Sequence, residues 1–351
     1  MNRIADIITT IKPPDSEAME QARARQQQLT KPPGSLGRLE DLAVRIVGMT
    51  GQLLPTVERK AVIVMAADHG VTIEGVSAYP SVVTAQMVYN FLRGGAAINA
   101  LAKLAGARVI VVDVGVVTEV QHSDLLTRKV AAGTANMASG PAMTHAQAID
   151  AVHVGMDVFE AQFDQGIDLV ATGDMGIGNT TASSAITAVL TGTPVAVVTG
   201  RGTGINDEQL AHKIAVIEQA IKHNKPDPTD PLSVLASVGG LEIAGLVGVI
   251  LAAAAHRVPV VIDGFISGAA ALVAVKLCPG VRDYLIAGHV SVELGHLLIL
   301  DHLGLVPLLN LELRLGEGTG AALAMCIVEG ALRTHAEMAT FAEARVSNKE
   351  M

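Results

Sequence analysis

The sequence predicts an α/β fold: a six-stranded, mostly parallel sheet covered by helices on both faces. Three observations carry this reading. Half of the 351 residues are hydrophobic while aromatics make up only 2%, and glycine occurs 35 times, a composition suited to close-packed α/β layers. A short β-branched run ending in glycine and a polar group recurs six times. Helical patterning fills most of the intervals between these runs, as crossovers between parallel strands require.

Taken in order, residues 1–60 contain two helix-like stretches, around Pro13-Pro14 and around Lys31-Pro32-Pro33-Gly34, and no strand signal of comparable strength. They are expected to form an N-terminal helical segment. The six candidate strands follow: AVIVMAADHG (61–70), RVIVVDVG (108–115), DLVATGDMG (168–176), PVAVVTGRG (194–202), PVVIDGFISG (259–268) and DYLIAGHVS (283–291). Residues 145–165 and 207–224 read as helices between them. Two apolar stretches, Leu241 to Ala255 and one beginning near Val258, are interrupted by Glu242 and Asp263 and fall short of the roughly 20 residues that span a bilayer, so they read as buried core. Near the end, Leu309, Leu311, Leu313 and Leu315 alternate with polar residues as along a half-buried strand, and 320–346 reads as one long helix. Residues 61–320 are thus expected to form a Rossmann-like α/β catalytic domain, and 321–351 a C-terminal helix that packs with the N-terminal segment as a small helical cap.

Right-handed crossovers bring the C-terminal ends of parallel strands to one edge, where ligands bind in such sheets. The glycines and polar residues of the six runs sit at those ends. Composition narrows what could bind. A net charge of −9 with no Lys/Arg cluster argues against nucleic acid. Two cysteines, Cys278 and Cys326, with no CxxC argue against a disulfide framework or thiolate cage and for a reducing cytoplasm. The start, MNRIADIITTIKPPDSE, has no apolar run of secretory type.

Three glycine-rich turns carry the chemistry. ATGDMGIGNTTAS (171–183) follows a strand and opens a helix with Asn179, Thr180 and Thr181; backbone N–H groups at a helix start, with hydroxyls beside them, suit an anion. VTGRGTGINDEQLAHK (198–213) repeats the design, with Arg201 and Lys213 to add positive charge. Two such turns on one sheet edge favour a phosphate or carboxylate ligand. The third, LELRLGEGTGAALAM (311–325), sets Glu317 between Gly316 and Gly318. No Gly-Lys-Ser/Thr of a P-loop occurs, and GEGTGA lacks the second strand and distal acid of a dinucleotide fingerprint. The His289, Glu293, His296 and His302 group lacks an H-E-x-x-H spacing, and G-x-S-x-G is absent. Asp68 and His69 at a strand end suit a structural hydrogen-bond role as well as ligation. No strand ends in the paired acids of diphosphate-dependent phosphoribosyltransferases. What remains is a sheet edge with anion-binding turns and isolated acids, chiefly Asp174, Asp263 and Glu317, suited to anion binding and one general base without metal or cofactor.

LTKPPGSLGRLEDLA (29–43), ADHGVTIEGVSAYPSVVTAQM (67–87), GDMGIGNTT (173–181), GRGTG (200–204) and LRLGEGTGAALA (313–324) together resemble the nicotinate-nucleotide–dimethylbenzimidazole phosphoribosyltransferases, in order and over nearly the whole chain. The resemblance implies a doubly wound sheet joined to a small helical domain, a homodimer, and transfer of ribose 5-phosphate from nicotinate mononucleotide to dimethylbenzimidazole. The products would be α-ribazole 5′-phosphate, for the lower ligand of cobalamin, and nicotinate. It implies that Glu317 is the general base and that Tyr79, Ser81, Gln86 and Leu315 lie about the aromatic base. Asp174, Gly176, Asn179, Thr180, Gly202, Lys213, Asp263 and Ser291 would lie about the nucleotide's phosphate and ribose. The family is expected to carry glutamate where this chain has Asp174, one methylene shorter. Two rivals share the anion-binding turns: a nucleoside or nucleotide hydrolase, and a non-enzymatic nucleotide-sensing module.

Overall fold

The computed structural model describes residues 3–202 and 204–347. Its sheet consists of β1 Lys60–Ala67, β2 Ala107–Gly115, β3 Leu125–Thr127, β4 Leu169–Met175, β5 Val260–Ile262 and β6 Leu285–Ala287. The spatial order is β3-β2-β1-β4-β5-β6, with every neighbouring pair parallel. This is the doubly wound order, in which the direction of winding reverses between β1 and β4 and leaves a crevice at their C-terminal ends. β1 sits at the centre and is buried along its whole length.

Five of the six predicted runs supply strands. The exception is 194–202, which forms a short helix, Val195–Val198, beside the helix Asn179–Thr191. β4 pairs directly with β5, so no position in the sheet is left for it, and β-propensity yields to that context. The sixth place goes to β3, a three-residue edge strand in a segment with no β-branched run. The leucine alternation at 309–315 is not a strand either: Leu309 makes an isolated bridge to His289, and Leu311 and Leu315 are exposed. The predicted C-terminal helix ends early. Thr319–Glu337 is helical, and after Met338 the chain turns into a second helix, Phe341–Ala344. The intervening residues are held by the N-terminal segment, through the Leu29–Thr340 bridge and the Thr30 amide on the Ala339 carbonyl at 3.0 Å.

Helix starts follow the polar signals. Thr144 and Gln147 form a capping box before His145–Phe163, as do Asn206 and Gln209 before Asp207–Asn224. Helix Leu241–Ala255 is buried at every residue but its last and lies against His145–Phe163. Their backbones touch. A Cβ on Gly155 would stand 1.8 Å from the Gly245 carbonyl oxygen, and one on Gly248 1.9 Å from that of Val152, so these positions exclude any side chain. At the N-terminus three helices form, Arg3–Thr10, Ser16–Gln28 and Arg38–Thr50. Ala18, Ala22, Val44 and Val47 make a small apolar cluster of their own there. Arg25 also donates to the His335 and Ala336 carbonyls, tying the segment to helix Thr319–Glu337. That helix in turn packs on β4 and β5. Among the described residues no helix is long and apolar enough to cross a membrane.

Candidate active site

A cavity of about 370 Å³ opens at the C-terminal edge of the sheet, beside the β1–β4 crevice. Its walls come from the turn after β4, the loop and helix start around 76–87, the start of helix Phe265–Leu277, the loop after β6, and the segment 314–317. These parts lie far apart in sequence and meet only because all end at one sheet edge.

One end is acidic. Gly316, Glu317 and Gly318 take φ values of +82°, +64° and +92°, three consecutive left-handed residues that turn the chain into helix Thr319–Glu337. Glycine adopts this region freely, whereas at Glu317 it costs about 1–2 kcal/mol. The buried Glu317 carboxylate accepts the Ile98 amide at 3.2 Å, in the first turn of helix Ala97–Ala105. Burial raises its pKa above the usual carboxylate range; the Ile98 amide opposes the shift and nearby Asp263 adds to it. Asp263, at the end of β5, accepts the Gly318 and Ala321 amides at 3.2 and 2.9 Å and so caps the same helix. His289 approaches Asp263 at 3.5 Å. Asp174, buried at the end of β4, accepts from the Asn179 amide group at 3.0 Å. Burial and the negative charges of Asp263 and Glu242 push its pKa well up.

The two flanking glycines differ in role. A Cβ on Gly318 would meet Val62 at 2.6 Å and lie 3.3 Å from the Thr172 carbonyl oxygen, so that glycine is pressed onto the sheet. Gly316 alone borders the cavity, facing the Asp174 carboxylate.

The other end is cationic. Lys213, from helix Asp207–Asn224, is buried and donates to the Thr180 hydroxyl at 2.7 Å. Burial lowers its pKa to about 8, with Glu293 partly restoring the charged form. Thr180 and Asn179 open helix Asn179–Thr191, and Gly178 caps it at φ +96°. Gly202 and Arg314 border the same end, with the Arg314 guanidinium 3.4 Å from the Gly202 carbonyl. Arg201 points away, to Asp207 and the Ile205 carbonyl, and supplies no charge to the cavity. Thr203, in the GRGTG turn, lies outside the described residues.

Between the ends runs an apolar wall that includes Val76, Val83, Met87, Phe265 and Ile266, with Tyr79 and Leu315 half-exposed at its rim. Of the residues singled out in the sequence, Tyr79, Leu315, Asp174, Gly176, Asn179, Thr180, Gly202, Lys213, Ser291 and Glu317 border this one cavity. Asp263 stands behind it. Ser81 and Gln86 are exposed and do not line it: Ser81 lies on the approach to helix Val83–Leu92, and Gln86 is on that helix's outer side. The sequence reading missed Arg314, Phe265, Met87 and the cavity-facing role of His289. Arg314 had a signal as the polar position between Leu313 and Leu315, Met87 as the end of the 67–87 motif, and His289 as a member of the histidine-rich stretch; Phe265 had none.

The histidine-rich stretch divides. His296 accepts the Ser291 amide at 2.9 Å, and burial lowers its pKa to about 3, so it is neutral. His302 borders a separate hollow with Lys276 and Arg282. Among the described residues no group of three or more His, Cys, Asp or Glu is arranged to hold a metal ion. Asp68 accepts the Val117 amide, and His69, beneath the Gly176–Gly178 turn, contacts buried Glu242 at 2.6 Å, which are structural roles.

Known proteins share this design. A family profile described as phosphoribosyltransferase matches residues 11–346. The nicotinate-nucleotide–dimethylbenzimidazole phosphoribosyltransferase of Desulforudis audaxviator (strain MP104C) is 60% identical over 348 residues, covering 99% of each chain. The protein of that name from Geobacter sulfurreducens is 57% identical over 348 residues, again 99% of each. The crystal structure of CobT from Thermus thermophilus superimposes with a TM-score of 0.92 at 51% identity, covering 95% of this chain and 100% of that one.

Proposed function

This chain belongs to the nicotinate-nucleotide–dimethylbenzimidazole phosphoribosyltransferase family, and from that premise we propose that it moves ribose 5-phosphate from nicotinate mononucleotide to 5,6-dimethylbenzimidazole with Glu317 as general base. The observation that carries the reading is the polarity of the cavity: a buried carboxylate of raised pKa at one end, a buried ammonium at the other, and an apolar wall between them. A benzimidazole ring fits the wall near Phe265, Met87, Tyr79 and Leu315. Its nitrogen lone pair attacks C1′ of the nucleotide while the proton on the other ring nitrogen passes to Glu317. The C1′–N bond to the pyridinium breaks, and its electron pair leaves with nicotinate, whose ring becomes neutral. No acid is needed for that departure. The nucleotide phosphate sits by Lys213, Thr180 and the helix start at Asn179, and Gly176, Gly202, Ser291 and Asp174 border the ribose side. In this reading Asp263 acts through the helix it caps.

The same reading takes the protein as a cytoplasmic homodimer. It divides the chain into an N-terminal helical segment to residue 60, a catalytic unit to 320, and a C-terminal helix that joins the small domain. Support for the small domain is the separate Ala18–Val47 cluster; support for a dimer is the exposed apolar set Leu294, Leu297 and Val306. Incubation with nicotinate mononucleotide, with and without dimethylbenzimidazole, tests the activity. Nicotinate released only when the base is present is the expected result. Release without it would indicate hydrolysis, and no release would indicate a binding protein.

A further inference from the structure

His289 is unexplained by that chemistry. It follows β6, borders the cavity, and is almost fully buried. Its ring lies against the first turn of helix Thr319–Glu337, where a Cβ on Gly320 would stand 1.9 Å from His289 Cδ2. On the other side the ring packs near Gly264, whose would-be Cβ would stand at ordinary contact distance, 3.5 Å from Nε2. The missing side chain of Gly320 therefore opens a slot for this imidazole. The slot directs Nε2 to Asp263 Oδ1 at 3.5 Å, and Asp263 holds the amides of Gly318 and Ala321, on either side of the helix start that follows Glu317.

Building on the assignment of Glu317 as base, we propose that His289 is a positioning residue for it: by holding Asp263 against the helix start, it fixes the left-handed elbow at Glu317 and screens the Asp263 charge from the Glu317 carboxyl. The charges around this group leave few alternatives. Glu317 faces Asp263 from β5 and lies near Asp174 from β4, with the Ile98 amide as its donor. Asp174 faces Asp263, Glu242 and Asn179. The Asp263 carboxylate faces the Gly318 and Ala321 amides and His289, while its backbone amide donates to the Thr172 hydroxyl. His296, whose ring centroid is 5.9 Å from that of His289, is neutral and only disfavours further charge. Among the described residues no lysine or arginine forms an ion pair with Asp174, Asp263 or Glu317, and His289 is the basic side chain in contact with Asp263. Burial opposes its protonated form, but contact with Asp263 outweighs that and raises its pKa, consistent with such a role.

The experiment compares pH profiles of kcat for the wild type, Glu317→Gln, His289→Gln and His289→Leu in base-dependent transfer. Glutamine can place an N–H where Nε2 was but carries no charge, so it separates geometry from screening. In His289→Gln the plateau rate should stay within about threefold, while the acidic limb moves up by on the order of half to one pH unit, because unscreened Asp263 makes ionising Glu317 harder. In His289→Leu the plateau should also fall about tenfold, with KM for nicotinate mononucleotide within about twofold. Acidic limbs superimposing on the wild type's in the folded variants would overturn the proposal, and if the leucine variant does not fold the glutamine variant decides. A Glu317→Gln enzyme with an undiminished rate, or a wild type without base-dependent transfer, would show instead that the underlying reading had failed, and would take this inference with it.

Discussion

The two ends of the cavity treat charge in opposite ways. At the Glu317 end, carboxylates crowd together with helix-start amides as their main donors, and burial pushes Asp174 and Glu317 toward their protonated forms. At the Lys213 end a single ammonium sits beside a hydroxyl and a helix start, and burial pushes it toward its neutral form, to about 8. Desolvation acts alike at both, against the charged state. The difference lies in what each end then does. A carboxylate of raised pKa is a better proton acceptor once ionised, whereas a lysine near 8 keeps its charge at neutral pH and can hold an anion.

The largest expected effect breaks the acidic end. Glu317→Gln keeps size and hydrogen bonding but removes the proton acceptor, so turnover should fall by roughly 10²–10⁴ with folding and nucleotide binding intact. The acidic limb of the rate profile should vanish with it, and Glu317→Asp should fall between the two. A glutamine variant retaining more than about a tenth of the rate would mean that solvent takes the proton.

Breaking the cationic end should cost affinity instead. Lys213→Ala removes a charge-assisted contact, so KM for nicotinate mononucleotide should rise roughly 10- to 100-fold while that for dimethylbenzimidazole changes little. The sign with pH follows from the lowered value: as pH rises through about 8 the ammonium is lost, and the wild-type KM for the nucleotide should climb while the alanine variant's stays flat. Equal weakening for both substrates would mark the lysine as structural.

Asp174 sharpens the comparison through stability. Its folded pKa is raised, so the folded state binds a proton that the unfolded state has already released. Stability is therefore lost as pH rises from the ordinary aspartate range to the folded value. Asp174→Asn should remove that slope, giving a melting temperature less dependent on pH in thermal unfolding scans; an unchanged slope would place the titration elsewhere. The smallest effect is expected from chelation. With the histidines of 289–302 divided between a neutral core position, an Asp263 partner and a distant hollow, dialysis against a chelator should leave the rate within about twofold. A tenfold loss restored by Mg²⁺ or Zn²⁺ would overturn this.

Much of the site was legible because strand C-termini share an edge. Asp174, Asp263 and the Gly176–Thr180 turn could be gathered from that rule because they lie at the ends of β4 and β5, whereas Glu317 and Lys213 follow no strand and were carried by the motifs around them. Arg201 could not be judged the same way. Its pairing with Asp207 depends on the path of a loop, and Arg314, from a segment far along the chain, takes its place. Ser81 and Gln86 fell on the outer side of their segment because a motif specifies order along the chain and not which face of a helix meets the cavity.

By itself the sequence determined the layered α/β class, the family and the carboxylate that ends the apolar run at Leu315. Those follow from local composition, periodicity and motif order, which each segment carries within itself. The tertiary structure decided that 194–202 is helical, that an edge strand forms at 125–127, and that Asp263 and His289 stand behind Glu317. The reason is physical. A strand exists only where a neighbour offers unpaired backbone groups, and a buried charge persists only where partners from other elements meet it. Neither condition is written in the residues beside it.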